Sequence, residues 1–158
     1  MEYIKCLVVH FRYIIDNKNT MALLSREMEF VENYLKIYHL QHSNMMEYEI
    51  QNDINEDVSI PPLMIENFVE NSLKYSMRPD RCMIIQIKIN WVEENGKRLI
   101  HCYIQDNGYG FEEKLLEELQ NQNYREIKQT SIGIYNVWRR LDIIYHGNAK
   151  LIFGNKKD

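Results

Sequence analysis

Apolar residues recur along this chain with two different periods, and the change from one to the other predicts its elements. Ile4, Leu7, Val8, Phe11, Ile14 and Ile15 fall at helical spacing and predict a single apolar stripe on a helix within residues 1–16. Asp16-Asn17-Lys18-Asn19-Thr20 then breaks the pattern with turn formers. A second helix is expected from about Ser25 to about Gln41, with Met28, Val31, Leu35 and Tyr38 on one face. Residues 46–52 alternate weakly and predict a strand, and Pro61-Pro62 reset the backbone before an apolar helix over residues 63–76. The period then becomes two. Ile85, Ile87, Ile89 and Trp91 alternate with Gln86, Lys88 and Asn90, and Ile100, Cys102 and Ile104 with His101, Tyr103 and Gln105. Asn95-Gly96 between the two runs is the preferred hairpin dipeptide.

Beyond the hairpin the signals are weaker. Asp106-Asn107-Gly108-Tyr109-Gly110 closes the second strand, and residues 111–131 are polar with one helix expected near residues 112–122. A helix from about Ile132 to Tyr145 is predicted to stop at Gly147 as a C-cap, with a last strand at residues 150–153. No internal repeat or low-complexity stretch is visible. Helices, strand, helix, hairpin, loop, helix and strand in that order predict an α+β sandwich with helices on one face of a mixed or antiparallel sheet.

Composition narrows the class. The 158 residues are 45% apolar, enough for one packed core, and the 19 basic against 23 acidic residues give a net charge of -4. That balance argues against a nucleic-acid-binding face. No apolar run approaches the roughly 18 residues of a membrane span, and the first residues lack a signal-peptide pattern. Cys6, Cys82 and Cys102 have no paired spacing and no CxxC, which fits a cytosolic chain without a zinc ribbon.

Three places carry chemistry. On the 63–76 helix, Asn67, Glu70, Asn71 and Lys74 recur at i, i+3, i+4 and i+7, one narrow polar stripe on an otherwise apolar helix. Two readings fit the stripe: the solvated face of an amphipathic helix, or a cleft wall. In the second, an Asn carbonyl suits Mg²⁺ beside phosphate oxygens, the Glu suits a general base, and the Lys suits phosphate. Asp106 to Gly110 reads as a turn, or as a strand-end carboxylate facing an exocyclic amine, with glycines that admit a ligand to the backbone. Ser131-Ile132-Gly133-Ile134 opens a helix whose free N–H groups suit an anion, and nothing matches a Walker A loop. His39 and His42 have no carboxylate or thiol nearby to complete a metal site.

The three segments together resemble one family. Val69-Glu70-Asn71-Ser72-Leu73-Lys74 resembles the N box of the GHKL ATPases, Asp106-Asn107-Gly108-Tyr109-Gly110 their DxGxG box, and Ser131-Ile132-Gly133-Ile134-Tyr135-Asn136-Val137 their second glycine box. A lid of about twenty residues separates the two glycine boxes. Residues 27–37, from Glu27 through Tyr34-Leu35-Lys36-Ile37, resemble the EExxxxxxYLxI helix of the YesM/LytS-type sensor histidine kinases. Ile60-Pro61-Pro62-Leu63-Met64-Ile65 is similar to their IPPLLLQPLVEN lead-in, and Arg140-Leu141 to their NVxxRL. The resemblance covers roughly residues 7–153.

It implies a two-layer α/β sandwich of the GHKL/histidine-kinase ATPase type. Residues 1–20 would be the remnant of a dimerisation and phosphoacceptor hairpin with its linker, and residues 21–158 an ATP-binding catalytic domain. Glu70 would be the catalytic base. Asn67, Asn71, Lys74, Tyr75, Asp106, Gly108, Gly110, Ile132, Gly133 and Ile134 would contact ATP, with Asn71 holding Mg²⁺. The implied partners are the histidine hairpin of the full-length kinase, a downstream response regulator and, in the full-length protein, a second copy, but no nucleic acid. The chain would be a cytoplasmic fragment of a membrane receptor. Tyr75-Ser76 stands where the family usually has His-Gly, Ser131 where it has Gly, and Glu66 and Asn67 where it has Gln and Pro. No NPHF segment carries a phosphoacceptor, and His10 aligns with the end of the second hairpin helix. Two other readings are carried alongside: a GHKL ATPase or serine kinase of another branch, and a degenerate module that binds nucleotide or a partner without activity.

Overall fold

The computed structural model of the chain describes residues 4, 8, 11–13, 20–42, 45–121 and 131–156. It forms two compact units, Met1–Gly108 and Tyr109–Asp158. Of the helix predicted within residues 1–16, Ile4, Val8, Phe11, Arg12 and Tyr13 are helical, and the others lie outside the described residues.

In the first unit a short strand β1 (Ala22–Leu23) leads into helix α1 (Leu24–Gln41). The apolar residues Leu24, Met28, Val31 and Leu35 repeat every three or four positions, so one face of α1 is buried throughout. The entry of α1 has no side-chain cap, and the Leu24 N–H is satisfied instead by the Val58 carbonyl at 2.8 Å. Strand β2 (Met46–Asn52), strand β3 (Ser59–Ile60) and helix α2 (Met64–Tyr75) follow. Antiparallel pairing of β1 with β3 brings the start of α1 beside the approach to α2.

The central sheet has the order β2-β4-β5, where β4 is Met83–Glu94 and β5 is Lys97–Asp106. β2 runs parallel to β4 with Met46 opposite Met83 and Asn52 opposite Ile89. β4 and β5 form an antiparallel hairpin from Ile85–Asp106 to Glu94–Lys97. Its turn is the predicted Asn95-Gly96, with φ of 52° and 73°, the left-handed pair that a two-residue hairpin turn demands. Met83, Ile85, Ile87 and Ile89 all point to the helices and are fully buried, while Ile84, Gln86 and Lys88 face outward. Each buried side chain of this kind contributes roughly 1.5–3 kcal/mol of transfer free energy. Val31 and Leu35 of α1 and Val69 and Leu73 of α2 complete the same core. This is the α+β sandwich that the element order predicts, with a mixed sheet and helices packed on it.

The second unit contains α3 (Glu113–Gln120) and α4 (Ile132–Tyr145), with Leu119, Ile134, Val137 and Leu141 buried. α4 stops with His146 already in the left-handed conformation, φ 50°, one residue before Gly147. The strand expected at residues 150–153 does not form. Side-chain bonds hold that stretch in place of a ladder. The Asn155 amide brackets Phe111, accepting from its N–H and donating to its carbonyl, both at 2.8 Å, and Gln120 Nε2 donates to the Phe153 carbonyl at 3.3 Å. The rings of Phe111 and Phe153 meet edge to face at 5.8 Å, and Ile152 is 87% exposed. No helix among the described residues is long and apolar enough to cross a membrane.

Candidate functional site

The polar stripe on α2 divides into groups that the protein engages and groups that it leaves open. Asn67 is engaged: its Nδ2 donates to the Leu63 carbonyl one turn back, so this amide serves the helix entry. The side chains of Glu70, Asn71 and Lys74 form no hydrogen bond or ion pair among the described residues, and Lys74 Nζ lies 5.0 Å from the centre of the Tyr75 ring. Glu70, Lys74 and Tyr75 are exposed, and Asn71 is half-buried. A carboxylate and an amide on adjacent residues, with an ammonium one turn on, thus present unspoken-for oxygens and a cation along one line.

Asp106 ends β5 against the other side of α2. Its Oδ2 accepts from the Ser72 hydroxyl at 2.8 Å, and its Oδ1 accepts from the Gly108 N–H at 2.9 Å, closing an Asx turn. Among the described residues each carboxylate oxygen accepts this one side-chain or turn bond, which leaves it a lone pair for a further donor. Asn107 ties the same turn to the start of β4: its Oδ1 accepts from the Ile84 N–H at 2.8 Å and its Nδ2 donates to the Cys82 carbonyl at 3.0 Å. Arg81 Nη2 donates to the Gly108 carbonyl at 3.3 Å. Gly108 is required by space: a Cβ there would lie 2.1 Å from Ser76 Cβ and 2.6 Å from Ser76 Cα. Ser76, a departure from the family pattern, is the residue seated beneath the turn.

The entry of α2 is unusual. Leu63 has φ 59°, a left-handed conformation that costs an L-residue roughly 1–2 kcal/mol. Three bonds hold it and its neighbour: Glu27 Oε2 accepts from the Leu63 N–H at 2.8 Å, Glu27 Oε1 from the Ile65 N–H at 3.2 Å, and Asn67 grips the Leu63 carbonyl. Glu27 is 0% exposed, and its carboxylate also accepts from the Tyr13 hydroxyl at 2.5 Å. A negative charge at the N-terminus of α2 is favoured by the helix dipole as well as by these donors.

A second acid sits one turn before Glu70. Burial, reinforced by the charges of Glu70 and Glu27, pushes the Glu66 carboxyl up to about 7. From α1, Tyr34 is pushed up to about 12 by burial and then by Glu70 and Glu66. Among the described residues no three His, Cys, Asp or Glu gather as a metal cluster.

The first unit therefore carries Asn67, Glu70, Asn71, Lys74 and Tyr75 on α2, Asp106 at the end of β5 and Gly108 in the turn, with Ser72 joining the helix to Asp106. Gly110, Ile132, Gly133 and Ile134 belong to the second unit, where Gly133 occupies the second position of α4. Sequence reasoning missed Ser72 and Glu27 as structural partners of the site. Their signal is a hydroxyl and a carboxylate at core-facing positions of apolar helices, where each needs a bonded partner.

No family model matches the chain. Curated relatives do. The chain is 31% identical over 140 residues to the sensor protein LytS of Oceanobacillus iheyensis, covering 86% of this chain and 23% of that protein. It is 27% identical over 139 residues to the sensor protein LytS of Bacillus cereus, covering 85% of this chain and 23% of the relative. A protein named as an uncharacterized sensor-like histidine kinase of Staphylococcus epidermidis is 26% identical over 144 residues, 89% of this chain and 27% of its own. These matches place the chain among relatives of bacterial sensor proteins. Over most of its length the chain is similar to LytS-type sensor proteins, and it spans about a quarter of the length of the curated relatives it matches.

Proposed function

We propose that this chain is the ATP-binding catalytic domain, of the GHKL type, of a two-component sensor histidine kinase. It would transfer the γ-phosphoryl group of ATP to a histidine outside the chain. The observation that carries the reading is the open line of Glu70, Asn71 and Lys74 on a helix whose next residue, Ser72, holds Asp106 in place. Asp106 accepts the exocyclic amine of adenine on the lone pairs that Ser72 and Gly108 leave free. Gly108, without a Cβ, keeps the turn low enough for a purine ring to approach. The Asn71 carbonyl, with phosphate oxygens, would hold Mg²⁺, which would supply neutralisation of phosphate charge. Lys74 pairs with phosphate, and Tyr75, 65% exposed, offers a flat ring to the nucleotide. Glu70 accepts the N–H proton of the incoming imidazole as its other nitrogen bonds to the γ-phosphorus, the bond to the β,γ-bridging oxygen breaks and ADP leaves.

The resemblance also carries Gly110, Ile132, Gly133 and Ile134 as nucleotide contacts. No side chain among the described residues caps the start of α4, and a helix start of this kind suits an anion. A response regulator downstream, a second copy in the full-length protein and a membrane-anchored receptor around this domain complete the proposal.

Titration of the chain with ATP and ADP, with and without Mg²⁺, tests it. Mg-dependent binding is expected in the parent, abolished by Asp106→Asn and altered in its metal dependence by Asn71→Asp. Absence of binding at millimolar nucleotide would reject the reading. A chain that binds is then expected to phosphorylate a supplied histidine hairpin without labelling itself.

A further inference from the structure

We propose that Glu27 is a positioning residue that ties nucleotide binding on α2 to the helical segment carrying Tyr13, and this rests on the nucleotide reading above. A carboxylate shut off from water is held only where donors converge on it. Three converge here, and they come from different parts of the chain: the Tyr13 hydroxyl at 2.5 Å and the Leu63 N–H at 2.8 Å on Oε2, and the Ile65 N–H at 3.2 Å on Oε1. Tyr13 and Leu63 share one oxygen, so the seat of the first alters the grip on the second.

The Leu63 conformation makes this grip consequential. A left-handed leucine persists only where its surroundings over-determine it, and its N–H and carbonyl are held by Glu27 and Asn67. Relaxing Leu63 re-aims the first turn of α2. Glu70 and Asn71 lie two turns further along the same hydrogen-bonded rod, and Ser72 follows with its bond to Asp106. A displacement at the entry therefore reaches the base, the metal ligand and the adenine acceptor together. Tyr13 sets the input, because its ring stacks on the buried Phe30 of α1 at 4.4 Å, and its hydroxyl reaches Glu27 from that seat.

The test uses the full chain and three substitutions: Tyr13→Phe, Glu27→Gln and, as a control of stability alone, Gly96→Ala in the hairpin turn. Tyr13→Phe retains the stacked ring and removes only the hydroxyl. It is expected to speed amide exchange at Leu63 and Ile65 roughly tenfold and to weaken Mg-ATP binding several-fold. Adding Tyr13→Phe to Glu27→Gln is expected to weaken binding no further than Glu27→Gln does, because both act through one carboxylate. Gly96→Ala is expected to lower stability and leave affinity unchanged, which separates positioning from general destabilisation. A parent that binds Mg-ATP and a Tyr13→Phe variant that binds equally well would overturn this proposal alone. Unchanged exchange at Leu63 and Ile65 would overturn it as well. A parent that binds no Mg-ATP would overturn the nucleotide reading, and the positioning role with it.

Discussion

The β4–β5 hairpin has two ends, and both carry an Asx-Gly sequence with opposite physical demands. At the far end Gly96 has φ 73° and open space around its missing Cβ, so the glycine is needed for its backbone angle. At the near end a Cβ on Gly108 would run into Ser76, so the glycine is needed for its lack of volume. The surroundings differ in the same sense. The far end is held by Arg98, which forms an exposed ion pair with Glu56 at 2.8 and 3.2 Å and lies 4.0 Å over the Trp91 ring. Surface pairs of this kind contribute roughly 0–1 kcal/mol, and the buried Trp91 indole N–H there has no partner among the described residues. The near end is a network in which Ser72, Asp106, Asn107, Gly108 and Arg81 each bond another element or turn. Scaffold geometry needs only a turn, whereas a site needs the turn at one height above the helix.

The largest effect expected from this contrast is at Gly108. Gly108→Ala must displace either the turn or the Ser76 backbone, at a cost of about 1–3 kcal/mol of the kind that overpacking brings. Urea melts should show this loss, and nucleotide binding should fall further than the stability loss explains. Ser76→Gly in the same chain is expected to restore part of both. A Gly108→Ala variant with parental stability would mean that the two ends are equivalent.

Next in size is the pH response of α2 at the near end. An unfolded chain releases the Glu66 proton near 4.5, while the folded chain keeps it to about 7. Between those values the unfolded state binds fewer protons, so stability is full below about 4.5, falls as pH rises to about 7, and is level above. The half-buried position suggests a total on the order of 2 kcal/mol after solvent screening. Denaturant midpoints across that range should show this slope in the parent and lose it in Glu66→Gln. A slope that survives the substitution would place its origin elsewhere.

The smallest effect is at the far end, where Gly96→Ala forces a Cβ into a left-handed angle without any clash. A loss of about 1 kcal/mol is expected in thermal or urea melts, with nucleotide affinity untouched. A change of affinity here would break the division between the two ends.

Periodicity reveals the elements whose cause is local. The helical stripe of Met28, Val31 and Leu35, the alternation of Ile85, Ile87 and Ile89 and the Asn95-Gly96 turn all stand in the structure as the sequence predicts. So does the polar stripe on α2, apart from the turning of the Asn67 amide onto the helix entry. What sequence reading missed has distant partners. Ser72 meets Asp106 across 34 positions, and Glu27 meets Leu63 and Ile65 across 36 and 38. Nothing local marks either residue except that a polar group stands where spacing calls for an apolar one. Residues 150–153 fail for a complementary reason: the apolar run is present, but a strand also needs a neighbour, and side-chain bonds from Gln120 and Asn155 hold this region in its place. The left-handed Leu63 has no signature in composition at all, because Glu27 imposes it from another helix.

The parallel pairing of β2 with β4 has a bearing on how the domain folds. The hairpin β4–β5 closes across a two-residue turn and can form from neighbours alone. β2 and β4 must instead find each other across the whole intervening chain, with Tyr48 opposite Ile85 37 positions away. α2 is the helix of that crossover. Its buried face completes its packing only when both strands are joined, so the residues that line its open face become ordered with the slow, long-range step of the topology. The hairpin supplies a ready-made floor early, and the helix that gives it a function arrives with the closure of a long loop.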